Sequence, residues 1–217
     1  MKSPTVIICP GNGCTNIRQS NWYGTLHARL LDQSIPCVCE NFPDPYRARR
    51  DKWIPHIRSL VEQYSKDADT SNVVLVGHSS GAQAALRYAE MYPTRGIVLV
   101  SATYSDLGDA GERASGYYPQ GSGDDELNRY KFEDMKRNCK RWIQLHSDDD
   151  PFIPLYEAER IRDGLTMIDD DASDYSFEYR MLPGRSHFFE FDSDILEALG
   201  LSCNSQMEHI MRRSIRA

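Results

Sequence analysis

Short apolar runs alternate along the chain with longer stretches in which apolar residues recur every three or four positions. Six runs read as strands: Thr5–Cys9, Ile35–Glu40, Asn72–Gly77, Gly96–Ser101, Arg141–His146 and Ser176–Leu182. Helical spacing covers Trp22–Leu31, Lys52–Tyr64, Ser80–Met91, Leu127–Cys139, Leu155–Ile168 and a tail from Phe189 onward. In the second of these, Trp53, Ile57, Leu60 and Tyr64 share a face. Pro55 falls in its first turn, where a missing N–H costs little. Strand alternating with helix predicts a parallel sheet covered on both faces and joined by right-handed crossovers. No internal repeat and no long linker divides the chain, so residues 1–217 read as one domain.

Two stretches break the alternation. Tyr104–Glu126 is rich in Gly, Ser and Asp and contains Tyr117-Tyr118-Pro119. It follows the fourth strand, so it is either a drape over the carboxyl ends of the strands or a solvated surface loop. Asp169–Asp174 is an acidic run that reads as a solvated connection before the last strand.

Composition narrows the class. Hydrophobic residues make up 40% of the chain and charged residues 26%, as in ordinary globular proteins. A net charge of −7 argues against nucleic acid or an anionic membrane as the main partner. No stretch approaches the ~20 apolar residues of a membrane helix. The apolar segment after Met1-Lys2-Ser3-Pro4 stops at Pro10, too soon for a signal peptide. The six cysteines (Cys9, Cys14, Cys37, Cys39, Cys139 and Cys203) form no C-x-x-C pair. Free thiols in a reducing, cytoplasmic compartment are the expectation, with no zinc and no other cofactor. Cys37 and Cys39 would share one strand face, which fits core packing.

The candidate chemistry starts at Gly77-His78-Ser79-Ser80-Gly81. This G-x-S-x-G follows the apolar run Val73-Val74-Leu75-Val76 and opens a helix, the strand–turn–helix setting of a nucleophile elbow. Glycines on either side let strand and helix pack closely. Ser79 is then presented at a helix N-terminus whose N–H groups favour negative charge. A serine hydroxyl needs a base to take its proton and a group to orient that base. On an α/β-hydrolase scaffold these should follow in the order Ser, Asp or Glu, His, each beyond a later strand.

The fifth strand ends in His146-Ser147-Asp148-Asp149-Asp150-Pro151-Phe152. Asp150 is the expected acid because Pro151 fixes the turn after it; Asp149 stays open as an alternative. Asp148 and Asp149 are otherwise free to cap the next helix or face solvent. A metal site on the triplet is disfavoured, since sequential aspartates point apart without EF-hand spacing. His187, in the loop after the last strand, is the expected base. His27 and His56 fall inside helices, His209 in the tail, and His78 in the elbow itself, where packing or hydrogen bonding suits it better.

The backbone N–H of Ser80 and that of Asn12, in Pro10-Gly11-Asn12-Gly13, are the expected oxyanion-hole donors. Strand order 2-1-3-4-5-6 would set that loop beside Ser79 at the switch point. A phosphate-binding loop is the rival, but the segment lacks the third glycine of G-x-G-x-x-G and the Gly-Lys of a P-loop.

Further segments carry a resemblance: Asn41-Phe42-Pro43-Asp44-Pro45, Ser105-Asp106-Leu107-Gly108-Asp109, Glu112-Arg113-Ala114-Ser115-Gly116-Tyr117, Asp149-Asp150-Pro151-Phe152 and His187-Phe188. With the elbow and Pro10–Gly13 they make the chain similar to the small serine hydrolases of the retinoblastoma-binding protein nine family, within the α/β-hydrolase superfamily. The resemblance implies a three-layer hydrolase with a six-stranded parallel sheet and no large cap domain. It also implies a Ser79/Asp150/His187 triad and a pocket shaped by the loop from Tyr104 onward. The L-x-C-x-E motif that links the family's namesake to retinoblastoma protein has no counterpart, since Leu60–Asn72 holds no cysteine. Cys37-Val38-Cys39-Glu40 follows Pro36 and is no substitute, so retinoblastoma binding is not expected.

Cleavage of a small ester, thioester or amide is the reading that follows. An acyltransferase or carbon–carbon hydrolase on the same triad, or a low-activity interaction protein, are the alternatives. Trp22, Tyr23, Phe42, Tyr104, Tyr117 and Phe188 are candidate aromatic pocket residues, with ordinary packing the better reading for any single one.

Overall fold

A computed structural model describes residues 3–65, 69–121, 127–166 and 174–200. Six strands form one sheet: β1 (Thr5–Cys9), β2 (Cys37–Val38), β3 (Val73–His78), β4 (Gly96–Val100), β5 (Arg141–Ser147) and β6 (Ser176–Leu182). Their order is β2-β1-β3-β4-β5-β6 and every pairing is parallel. The helices are α1 (Tyr23–Asp32), α2 (Arg50–Tyr64), α3 (Ser80–Ala89), α4 (Ala110–Ser115), α5 (Phe132–Asn138), α6 (Leu155–Leu165) and α7 (Ser193–Ala198). Among the described residues no helix is long and apolar enough to cross a membrane.

Alternation along the central strands sorts the core into two layers. Ile7, Cys9, Leu75, Ile97, Leu99 and Trp142 face α2, α3, α5 and α6. Val6, Ile8, Val76, Val98, Val100, Ile143 and Leu145 face α1 and α7. Both faces are therefore apolar, which is why the inner strands read as unbroken hydrophobic runs. β1 and β3 are neighbours in register, with Cys9 opposite Gly77. The loops leaving their carboxyl ends thus start side by side.

Several boundaries differ from the sequence expectation. β2 has only two residues, because a turn with Ser34 at φ 59° and then Pro36 bring the chain to the sheet edge late. α2 begins two residues earlier than expected, so Pro55 lies in its second turn and removes a bond to the Asp51 carbonyl. Leu127 is not helical. It pairs with Gln120 in an isolated antiparallel bridge, and α5 starts only at Phe132. Within the expected loop Tyr104–Glu126 lies α4, capped by the Asp109 side chain on the Glu112 N–H and stopped by Gly116 at φ 84°. Residues 122–126, most of the acidic run Asp169–Asp174, and Cys203 and His209 fall outside the described residues.

Candidate active site

The turn from β3 into α3 gives Ser79 φ 53° and ψ −121°, a conformation L-residues rarely adopt. The strain is held by closeness on both sides. A Cβ on Gly77 would lie 2.5 Å from the Gly81 carbonyl oxygen, and one on Gly81 would strike the carbonyl of Cys9. Ser79 N–H donates to the Val100 carbonyl (2.9 Å), tying the elbow to β4.

The loop after β5 and the loop after β6 are joined residue by residue. The Asp148 carboxylate accepts from Gly184 N–H (3.0 Å), and Asp149 accepts from Ser186 N–H (2.8 Å). Asp150 accepts from His187 Nδ1 (2.8 Å). Ser147 Oγ accepts from Arg185 N–H (2.8 Å) and donates to Asp149 (2.6 Å). Asp150 is therefore the aspartate that faces the histidine. Asp148 and Asp149 stay exposed, as expected of solvated groups, and they also hold the loop that carries it. Ser186 and Phe188 sit at φ 51° and 50°, so this loop is shaped by its neighbours rather than by its own preferences.

The Asp150 side chain has no exposed surface and His187 keeps only 8% of its own. Burial alone would push the Asp150 carboxyl up. The His187 hydrogen bond and charge, with the N–H groups of Phe152 and Ile153, outweigh it and hold the carboxyl below the usual range. With Nδ1–H given to Asp150, Nε2 of the neutral ring is left as an acceptor. Ser79 and His187 line the same cavity; the described hydrogen bonds do not include one between Ser79 Oγ and His187 Nε2.

The cavity, about 410 Å³, opens at the carboxyl ends of the strands. Gly11, Asn12, Ser79, Ser80 and His187 lie on its wall. Gly11 N–H is used by the Tyr23 hydroxyl (2.8 Å). The N–H groups of Asn12 and Ser80 have no partner among the described residues. The Asn12 side chain is held by Glu112 of α4 (3.1 Å), which also accepts from Tyr118 (2.9 Å). Burial pushes the Glu112 carboxyl up.

His78 is part of this architecture, in the hydrogen-bonding role expected of it, though with partners the sequence did not reveal. Its Nε2 meets the His187 carbonyl (2.8 Å), which can only accept, so Nε2 carries the proton. Its Nδ1 then accepts from the Tyr23 hydroxyl (2.6 Å), whose oxygen accepts from Gly11 N–H and from Asn21 (3.1 Å). One directed chain of hydrogen bonds thus connects the loop after β1, the elbow and the His187 loop. Burial and the nearby His187 charge push His78 down to about 3, so the chain keeps its direction near neutrality.

Burial likewise lowers His27, His56 and His146. All four histidines take up protons more readily once unfolded, where the ordinary value is about 6.5. Their effect on stability is nil above that pH and grows as pH falls below it, ending near pH 3 for His78. Thermal denaturation followed by circular dichroism should show Tm falling between about pH 7 and about pH 5, less steeply in His78→Gln. A flat Tm over that window would contradict it.

None of the six aromatic residues expected at the pocket lines it; Trp22, Tyr23, Phe42, Tyr117 and Phe188 are buried in the core. Their place is taken by Tyr118, Phe152 and Phe189, two of which are the next residue along. Thr103, Ser105, Asp106, Leu107, Asp109 and Glu112, at or near the start of the excursion after β4, complete one wall. Two buried side chains hold that excursion down. Glu157 of α6 accepts from Thr103 Oγ, Tyr104 N–H, Ser105 N–H and Ser105 Oγ, at 2.6–2.9 Å. Arg87 of α3 donates to the carbonyls of Tyr117, Asn128 and Arg129 and pairs with Glu90. Among the described residues, no group of three His, Cys, Asp or Glu side chains is placed to hold a metal ion.

A parallel sheet in this order, with a serine elbow after its third strand, defines an α/β hydrolase. The family model described as the alpha/beta hydrolase family matches residues 6–199, and the chain belongs to that family. It is similar to the protein named serine hydrolase RBBP9 of Rattus norvegicus. The two are 39% identical over 184 residues, covering 83% of this chain and 88% of the rat protein. Among solved structures, the ydeN gene product of B. subtilis superposes with a TM-score of 0.69 at 20% identity, covering 91% of this chain and 99% of that one. A monoacylglycerol lipase of Paleococcus ferrophilus gives 0.60 at 16% identity, covering 93% and 97%. At these identities the two structures speak to the fold.

Proposed function

We propose that the chain is a serine hydrolase that cleaves a small ester, thioester or amide through an acyl-enzyme. One observation carries this reading: strained Ser79 shares a cavity with His187, whose other ring nitrogen is held by buried Asp150. His187 takes the Ser79 proton as Oγ attacks the carbonyl carbon, and Asp150 stabilises the resulting imidazolium. The free N–H groups of Asn12 and Ser80 receive the oxyanion. His187 then protonates the leaving group and draws a proton from the water that releases the acyl group. The missing Ser79–His187 hydrogen bond fits this reading, because such bonds commonly tighten only once substrate is bound. No cofactor enters the scheme, and the similarity to a relative named serine hydrolase supports it.

The five described cysteines are free, and burial pushes their thiols up. That suits a cytoplasmic enzyme with no thiol chemistry of its own.

A fluorophosphonate probe tests the reading. Purified protein should be labelled at Ser79, located by peptide mass mapping, and Ser79→Ala should take no label. Folded wild type that stays unlabelled would sink the proposal.

A further inference from the structure

Phe152 and Phe189 are 58% and 46% exposed, although each sits on a backbone fixed by the site. Phe152 N–H is bound to the Asp150 carboxylate (3.0 Å), and Phe189 follows His187 and the buried Phe188. Their rings flank the imidazole. Phe152 meets it edge-on with centroids 5.1 Å apart, Phe189 lies at 5.6 Å, and the two rings are 6.0 Å from each other. Of the ten large apolar side chains exposed among the described residues, only these two and Leu107 line the cavity. Large apolar side chains left open beside a reacting group are most simply understood as surface that substrate covers.

Stereochemistry says which part of the substrate covers it. In the acyl-enzyme mechanism the imidazole that takes the Ser79 proton must deliver it to the departing atom. The leaving group therefore departs on the His187 side, among these rings. The acyl part is left toward the rest of the cavity, whose lining includes Ser105, Asp106, Asp109 and Glu112. That lining carries carboxylates, of which Asp106 pairs with Arg113 (2.7 Å), and no Lys or Arg itself lines the cavity among the described residues. Negative charge on the substrate is repelled there.

We infer that Phe152 and Phe189 form a leaving-group subsite, selecting carbonyl compounds without negative charge whose departing alcohol or thiol is apolar and, above all, aromatic. This rests on the acyl-enzyme reading. For an aryl acetate, the Ser79 Oγ–carbon bond forms and the carbon–oxygen bond to the aryl group breaks. The proton travels from Oγ through His187 Nε2 to the departing phenolate oxygen. Water then displaces Ser79 from the acetyl group.

The test holds the acyl group constant and varies what leaves. kcat/KM is measured for phenyl acetate, for O-acetyl acetohydroxamate, whose polar leaving group is of similar acidity, and for 4-sulfophenyl acetate. Wild type should prefer phenyl acetate to the polar ester by about tenfold or more, and to the sulfonated ester by at least as much. Phe152→Ala and Phe189→Ala should each lose several-fold more activity on phenyl acetate than on the polar ester. Phe152→Leu should keep part of the preference. A wild type that treats the phenyl and polar esters alike overturns the subsite. So do variants that fall equally on both, the result expected if the rings only shield the Asp150–His187 pair from water. Fluorophosphonate labelling, in which fluoride leaves and needs no aromatic contact, separates the two ideas. A labelled enzyme without leaving-group preference overturns the subsite alone, whereas an unlabelled one overturns the acyl-enzyme reading and the subsite together.

Discussion

Ser79→Ala and His187→Ala should each lower kcat on an activated ester by about 10⁴-fold or more, and the double variant by scarcely more than either. The non-additivity follows from how the groups act. Without Ser79 the imidazole has no nucleophile to activate, and without His187 the hydroxyl keeps its proton. What should survive is the proposed oxyanion site, built from the backbone N–H groups of Asn12 and Ser80, which neither substitution removes. Asp150→Asn should cost on the order of 10⁴-fold by another route. An amide at this position can present its NH2 to Nδ1, which favours the tautomer with the proton on Nε2, facing Ser79, where it blocks general-base action. The same pair makes a statement about pH. Asp150 is held below the usual carboxylate range, so its contribution is complete above about pH 4 and is lost only as pH falls through that lowered value. An acid-side fall in kcat/KM centred between about pH 6 and 7 would therefore report an imidazole and not this carboxyl. Steady-state kinetics on the single and double variants decide the matter. A Ser79→Ala protein with more than about a hundredth of wild-type turnover is incompatible with the mechanism.

The parts that could be read from sequence are those whose cause is local. β1 and β6 have the expected bounds because their apolar runs end at Pro10 and Pro183. The elbow was readable from its motif and its strand–turn–helix setting; the contacts that require Gly77 are local, with Gly81 and Ala82, whereas those that require Gly81 come from Cys9 and Pro10 at the far end of β1. The order Ser79, Asp150, His187 was readable because the fold places successive loops at one end of the sheet. Asp149 and Asp150 could be ranked only through Pro151; the structure separates them by giving one to Ser186 and the other to His187. α4 was missed although its cap and its glycine stop are both in the sequence, because six residues are too few to show a helical period. The aromatic lining was missed by single positions, Tyr117 for Tyr118 and Phe188 for Phe189. Which of two neighbours turns inward depends on left-handed backbone such as that of Phe188, and no pattern of polarity announces it. The partners of Tyr23, His78 and Glu157 were hidden for a different reason. They lie up to 109 residues away, and each of the three side chains is polar in a place where sequence suggests nothing more than a helix or a turn.

Glu157→Ala should destabilise the protein by about 3–5 kcal/mol, and Glu157→Gln by much less. In sequence Glu157 is an acidic residue in the first turn of α6, where a solvated carboxylate would interact weakly with the helix dipole. In the structure it is 1% exposed and its two oxygens accept four hydrogen bonds from Thr103, Tyr104 and Ser105. Alanine leaves two backbone N–H groups and two hydroxyls facing a void, and each donor that stays buried without a partner costs about 1–3 kcal/mol. Partial entry of water keeps the total well below the sum. Glutamine fills the volume and keeps the oxygen that accepts from Thr103 Oγ, Tyr104 N–H and Ser105 N–H, and its NH2 group can donate to the Ser105 hydroxyl, which turns to accept, so the near-isosteric change is mild. The consequence reaches the cavity, because Thr103 and Ser105 form its wall and the excursion that follows carries Asp106, Leu107 and Glu112. Urea denaturation should show a lower midpoint with little change in slope. Below the melting transition, KM should rise more than kcat falls, since the wall shifts while Ser79, His187 and Asp150 are held by other contacts. A Glu157→Ala protein as stable as wild type would mean that these donors find other acceptors, and that the excursion is not anchored from α6.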